Sequence, residues 1–165
     1  MEVLWAPWRM EFILGSKPEG CIFCIFPSET GAEADRKNLV VGRSNLSFAI
    51  LNRFPYNSGH LMVVPRRHTA DFAALREEES VDLHRLLQLS VSVLQEAYRP
   101  DGFNLGMNLG RSAGAGIADH LHYHLVPRWT GDTNFMPLIS ETKVIVEHLL
   151  QSYDKLRVLF DRVLG

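Results

Sequence analysis

The sequence predicts an α+β fold built on an antiparallel sheet, and three observations carry that reading. Short apolar runs are separated by turn residues, at Leu39–Val41, Ser47–Leu51, Leu61–Val64 and Phe103–Met107. Two longer stretches repeat their apolar residues with helical period, 79–98 and 144–163. Between these lies Asp119-His120-Leu121-His122-Tyr123-His124-Leu125-Val126, where histidine alternates with Leu, Tyr and Leu. Runs of strands with appended helices favour an antiparallel α+β domain over a doubly wound sheet.

Residues 1–20 are Trp- and Pro-bearing and read as an irregular extension packed on the domain, and 21–165 as a single domain. Residues 27–38, with Pro27, Ser28 and Gly31, read as an exposed loop. The first two strands flank a turn at Gly42–Asn45, and Arg53–Gly59 is a second turn. The third strand stops at Pro65, which cannot donate to a ladder. In the first helix Leu83, Leu86, Leu87, Leu94 and Ala97 share a face. Glu77, Glu78 and Glu79 lie near its start, where the helix dipole favours them, and Pro100-Asp101-Gly102 ends it. The second helix, Val144 to Val163, carries Val144, Leu149, Leu156 and Leu159 among its apolar positions.

At 165 residues the chain is long enough to bury a substantial core. Its 46% hydrophobic and 22% charged residues are ordinary for a globular protein. A net charge of −2 with no basic block argues against a nucleic-acid scaffold, whereas a small nucleotide needs only local positive charge. No apolar run reaches the roughly 20 residues that span a bilayer. The segment Met1–Arg9, with Glu2, Trp5, Pro7 and Trp8, lacks a secretory h-region. A cytoplasmic location with no membrane partner is expected. In a reducing compartment Cys21 and Cys24 read as metal-binding or redox-active rather than as a structural disulfide.

The alternation at 120–125 matches the period of a strand, so His120, His122 and His124 fall on one face. Surface histidines on an edge strand are the ordinary alternative; three in alternation behind a glycine-rich loop argue against it. His122, the middle member, is the candidate nucleophile. A neutral imidazole can attack phosphorus and split one hard displacement into two easier ones. Its tautomer would be fixed by a carbonyl on the other ring nitrogen, and that of His120 is a candidate. His124 would sit beside the same phosphate as a donor. The preceding loop, Asn108 to Gly116, has the small residues that let backbone N–H groups cradle an anion, with Ser112, Gly114 and Gly116 as candidate contacts. Arg111 and Arg128 are possible phosphate partners. Asn52 either bonds a ribose hydroxyl or caps its turn. Trp5, Trp8 and Trp129 are stacking candidates or packing plugs. Met10, Met62, Met107 and Met136 read as filler. The knuckle Cys21-Ile22-Phe23-Cys24 supplies half of a tetrahedral zinc site. The other half would come from histidines among His60, His68, His84, His120 and His148.

The run His120-Leu121-His122-Tyr123-His124-Leu125-Val126 resembles the His-x-His-x-His-x-x pattern of the histidine triad family of nucleotide hydrolases and transferases. Asn52 to Pro65 resembles the family's earlier segment, a Gly-His pair opening a strand that ends in Pro. Leu4–Arg9 and Pro127–Phe135 resemble the bacterial branch that contains diadenosine tetraphosphate phosphorylases. The resemblance implies a five-stranded antiparallel sheet with two main helices, usually in a homodimer. It implies that His122 becomes adenylylated by an adenine nucleotide substrate, and that His124 and His60 hold the phosphate or orient the site. It places Ile50, Asn52, Asn108 and Trp129 near the substrate. It also implies a structural zinc on Cys21, Cys24, His68 and His120, beside the nucleophile. One departure stands out: the family often has a Ser shortly before the triad, where this chain has Gly114-Ala115-Gly116-Ile117-Ala118. That leaves the acceptor open, phosphate giving ADP or water giving AMP. A purine nucleoside phosphoramidase is the nearest alternative. A nucleotide-binding module without turnover, and a redox protein built on the two thiols, are alternatives of other classes.

Overall fold

The computed structural model describes residues 20–132 and 147–165. The expectations on Trp5, Trp8, Met10, Met136 and Val144, and on the extension through residue 19, lie outside them. Five strands form one antiparallel sheet in the order β1-β2-β3-β5-β4: β1 Val40–Arg43, β2 Ser47–Leu51, β3 Leu61–Pro65, β4 Gly102–Met107 and β5 Tyr123–Arg128. Among the described residues four α-helices accompany it: α1 Ile22–Ile25, α2 Ala32–Asn38, α3 Glu77–Tyr98 and α4 Leu149–Leu164. None is long and apolar enough to cross a membrane.

Both central strands, β2 and β3, are buried at every residue, with α3 packed on them. Phe48, Leu51, Leu61, Leu83, Leu86, Leu94, Leu125 and Phe160 are among the largest fully buried side chains. Helix α4 lies against β1 and α3. Its approach to β1 depends on Gly42, where an added Cβ would stand 2.6 Å from the Phe160 ring. Asp35 on α2 is buried between the guanidinium groups of Arg43 on β1 and Arg157 on α4, tying three elements together.

Two local expectations need correction. Residues 32–38 are helical rather than an exposed loop, and 26–28 form a 3-10 turn. The polar stretch shows no apolar period, yet Asp35 and Asn38 are its buried residues, so tertiary polar contacts stabilise what propensity alone does not announce. The second correction concerns the histidines. The β5 ladder begins at Tyr123, so His124 lies in the strand and His120 and His122 precede it. The backbone N–H of Leu121 donates instead to the Thr69 carbonyl, at 2.8 Å.

Helix α3 starts where its acidic residues were expected to favour it. Glu79 closes a capping box by accepting from the Arg76 N–H at 3.0 Å. Its carboxylate, with the side chain 2% exposed, also binds Arg67 in a two-pronged pair at 2.8 Å and the Arg76 guanidinium at 3.0 Å. The hydrogen bonds from Arg67, then those from Arg76, hold the Glu79 carboxyl far below the usual carboxylate range. A depressed folded-state pKa contributes stability above the unfolded value of about 4.3 and loses it as pH falls through the folded value. Glu79→Gln is therefore expected to lower stability by about 2 kcal/mol at neutral pH. The gap to wild type should shrink progressively below about pH 5, as read by urea unfolding at several pH values.

Candidate active site and metal centre

Helix α1 is one turn long and holds Cys21 and Cys24 on either side of the buried Phe23. The Phe23 ring packs on Phe48, with centroids 6.4 Å apart, and on His120 and His122 at 5.5 and 5.0 Å. The apolar residue inside the knuckle thus fixes the two thiols relative to the histidine run. The Leu121–Thr69 hydrogen bond brings the segment after β3 alongside, setting the rings of His68 and His120 5.0 Å apart.

Cys21, Cys24, His68 and His120 converge, with one ligand atom from each lying within 4.8 Å of all the others. The Nδ1 of His120 is 3.3 Å from the Cys21 sulfur and 3.6 Å from that of Cys24, and the Nδ1 of His68 is 3.4 Å from Cys24. Metal–sulfur and metal–nitrogen bonds of 2.3 and 2.0–2.1 Å in a tetrahedron give ligand–ligand edges of about 3.3–3.8 Å. The donor set and these three distances fit the edges of a tetrahedral ion. His120 uses its other nitrogen in the way metal ligands do: Nε2–H donates to the Pro65 carbonyl at 2.8 Å, which leaves the Nδ1 lone pair facing the thiols. Burial, and then the neighbouring Cys21, push the Cys24 thiol up, the opposite of what a redox nucleophile uses.

His122 is buried, 4% exposed. Its Nδ1–H donates to the His120 carbonyl at 2.9 Å, the partner expected from the sequence, so its Nε2 carries the lone pair. Burial pushes its pKa down, against the opposing effect of that carbonyl. His124 follows with its ring 4.9 Å from His122. Burial and then His122 depress its pKa to about 4. Behind it stands His60, fully buried. The backbone N–H of Tyr56 donates to His60 Nδ1 at 3.0 Å, so His60 carries its proton on Nε2 and passes it as a hydrogen bond to His124 Nδ1 at 2.9 Å. His124 is left with its proton on Nε2. The two chains of hydrogen bonds set opposite tautomers on neighbouring rings: a bare Nε2 on His122 and an N–H at Nε2 on His124.

The other expected residues are placed less uniformly. Asn52 follows β2 and caps its turn, with Oδ1 accepting from the Phe54 N–H at 2.9 Å, while its own N–H bonds the His60 carbonyl at 2.9 Å. Ile50 lies in the core at 2% exposure. Gly106 of β4 pairs with His124 and Met107 with Tyr123, so the Asn108–Gly116 loop springs from beside the histidines. That loop is exposed at Ser112, Gly114 and Gly116, and positive φ values at Gly110 and Gly114 bracket a 3-10 turn at Arg111–Ala113. Trp129 is half-buried, edge-on to Tyr98 at 6.4 Å. Arg128 is paired with Asp132 rather than free for phosphate. Sequence reasoning missed Phe23, Tyr56 and the Pro65 and Thr69 carbonyls. Tyr56 had a weak signal, an aromatic four residues before His60 in a turn. The carbonyls had none, since every residue offers one. A separate open cleft of about 430 Å³ is lined by Glu77, Glu78, Asp82 and Arg85 among others. Three carboxylates against one guanidinium make it a poor host for polyphosphate.

The family model for the HIT domain matches residues 33–131. The chain belongs to the HIT family. Among HIT relatives, the AP-4-A phosphorylase of Mycobacterium tuberculosis (strain H37Rv) is 42% identical over 154 residues, 90% of this chain and 79% of that protein. The adenosine 5'-monophosphoramidase hnt1 of Schizosaccharomyces pombe is 31% identical over 66% of this chain and 74% of its own. The structure superposes on a hypothetical histidine triad nucleotide-binding protein from Sulfolobus tokodaii with a TM-score of 0.67 and 27% identity, covering 87% of this chain and 93% of that one. A zinc-bound histidine triad protein from Mycobacterium smegmatis shares the fold, with a TM-score of 0.67 at 24% identity over 87% and 94% of the two chains. The five-stranded sheet of the HIT fold is as expected.

The ligand geometry has a direct spectroscopic consequence. Cobalt(II) titrated into metal-depleted protein is expected to bind at one equivalent and to give the intense visible bands of a tetrahedral ion with thiolate ligands. Cys24→Ser should weaken the sulfur-to-metal absorption and loosen binding by at least about tenfold.

Proposed function

We propose that this HIT-family protein is a nucleotide phosphorylase or hydrolase that cleaves dinucleoside polyphosphates of the diadenosine tetraphosphate type at the α-phosphate. The observation that carries the reading is the pair of opposite tautomers at His122 and His124. His122 Nε2 is the nucleophile: it forms a bond to the α-phosphorus while the bridging P–O bond breaks, and ATP leaves with the electron pair. His122 keeps its Nδ1 proton, and the charge it gains is stabilised by the His120 carbonyl. His124, with N–H at Nε2, donates to an oxygen of the reacting phosphate, and His60 holds that tautomer in place without touching substrate. In the second half-reaction an oxygen of inorganic phosphate attacks phosphorus, the P–N bond breaks toward His122 Nε2, and ADP forms. Water in the same place yields AMP and a proton. Most of the rate enhancement comes from positioning and charge stabilisation around a loose transition state.

The 42% identity to a protein named AP-4-A phosphorylase over nearly the whole chain supports phosphorolysis of this substrate class. In this reading the exposed Asn108–Gly116 loop offers backbone N–H groups to the phosphate chain, Asn52 lies by the ribose and Trp129 by the base. Ile50 contributes from within the core. We assign zinc to the Cys21, Cys24, His68 and His120 tetrad. Four protein ligands leave no open position, so its contribution is to hold His120 and thereby the carbonyl that orients His122.

His122→Ala is expected to lower turnover of diadenosine tetraphosphate by at least about 10⁴-fold while the protein stays folded. Mass spectrometry of wild-type enzyme quenched during turnover should reveal an added AMP, absent from the variant. Omitting inorganic phosphate should suppress ADP formation; unchanged rates with AMP as product would assign hydrolysis instead. Full activity in His122→Ala would refute the mechanism.

A further inference from the structure

One carboxylate near the site takes no part in the steps above, and its partners are unusually well distributed. Asp132 ends the turn that begins at Trp129, closed by its own N–H on the Trp129 carbonyl at 3.0 Å. Its side chain is 9% exposed. Oδ2 accepts from Arg128 Nε at 2.6 Å, from Asn57 Nδ2 at 2.8 Å and from the Trp129 backbone N–H at 3.1 Å, and Oδ1 accepts from Arg128 Nη2 at 2.7 Å. Arg128 is held in turn by Asn104 of β4, at 2.6 Å. Asn57 reaches further: its side chain also donates to the Pro127 carbonyl at 3.1 Å, and its own carbonyl accepts the His60 N–H at 3.1 Å. Asn57 thus sits in the Arg53–Gly59 turn one residue after Tyr56, whose N–H sets the His60 tautomer.

We propose that Asp132 is a positioning residue that clamps the Trp129 turn to the His60 turn, so that the nucleotide contact and the histidine relay keep one fixed mutual geometry. The proposal rests on the nucleotidyl-transfer reading for the roles of Trp129 and His60. Its chemistry requires a carboxylate. The four donors named above are N–H groups converging on two oxygens, and a charged acceptor makes such bonds short and strong. Asparagine with its oxygen at the Oδ2 position would keep three of them and oppose Arg128 Nη2 with a second N–H. Substitutions at Asp132 should therefore disturb two kinetic constants at once, whereas each arm severed alone should disturb one.

The test uses the full chain and the variants Asp132→Ala, Asp132→Asn, Asn57→Ala and Trp129→Ala. Three readouts are needed: steady-state kinetics with diadenosine tetraphosphate and phosphate, thermal unfolding, and the ¹⁵N signals of the histidine rings, which report tautomers without substrate. Asp132→Ala is expected to raise KM and lower kcat, each about tenfold, with Asp132→Asn intermediate. Asn57→Ala should lower kcat with little change in KM, and Trp129→Ala the reverse. In Asp132→Ala and Asn57→Ala the His60 and His124 signals should move toward averaged tautomers. Wild-type kinetic constants and unmoved tautomer signals in folded Asp132→Ala would overturn the proposal, even if its melting temperature fell, since that combination describes a merely structural tie. Should Asp132→Ala not fold, the same result in Asp132→Asn and Asn57→Ala would overturn it equally. If the wild-type protein is inert toward the dinucleotide while the tautomer signals still move in the variants, the substrate reading fails and the clamp stands.

Discussion

The site depends on a hydrogen bond between residues two apart, His122 Nδ1–H to the His120 carbonyl at 2.9 Å. Residues 120–122 stand outside the sheet, so no ladder bond competes for that carbonyl. Had the ladder continued through them, their backbone groups would have been drawn toward neighbouring strands. Instead the Leu121 N–H turns to Thr69, and the segment hangs between β5 and the region after β3. The ladder thus stops short of the acceptor that holds the ring.

The same arrangement explains how buried imidazoles are tolerated. His60, His120 and His122 are each at most 4% exposed. Neutral polar rings in such surroundings are costly unless their nitrogens have partners. Here the partners are the Pro65 carbonyl, the His120 carbonyl, the Tyr56 N–H and the rings and thiols themselves. Burial also lowers the pKa of His120, His122 and His124, which favours neutral rings that each keep a lone pair. Desolvation, usually a cost, here favours the neutral ring at each of the three positions.

Much of this was legible in the sequence, for reasons that differ by residue. The period-two alternation at 120–125 announced both the run and the His120 carbonyl as partner, because a ring can reach a carbonyl two residues back without tertiary help. The Cys21–Cys24 spacing announced half of a metal site, while His68 and His120 entered through the resemblance to known triad proteins rather than through spacing. The strands were legible from apolar runs bounded by turns. What stayed hidden depends on convergence. Helix α2 has no apolar period and is anchored through Asp35, whose two guanidinium partners lie on other elements. The exact start of β5 was hidden because ladder and lead-in share one alternation. Asp132 carried no signal of its own in the sequence, since donors to it come from residues 57, 128 and 129 and only the fold gathers them.

His120 joins the two halves of the site, and the geometry says in which direction influence runs. Its ring is fixed at both nitrogens, by the Pro65 carbonyl on one side and the thiols on the other. Its carbonyl holds His122. A ring immobilised at two points restricts the χ angles and, through them, the backbone whose oxygen orients His122. An ion held by the tetrad would therefore act on His122 through the main chain of one residue. His60 does the corresponding work for His124, anchored by the Tyr56 backbone N–H. His122 and His124 are thus each set from behind by a buried histidine, and each of those, His120 and His60, is anchored to main chain outside the triad, at Pro65 and at Tyr56. Mobility in either anchor would blur one tautomer and leave the other intact, which is why the turn carrying Tyr56 and the end of β3 must be rigid together for the opposite proton placements to coexist.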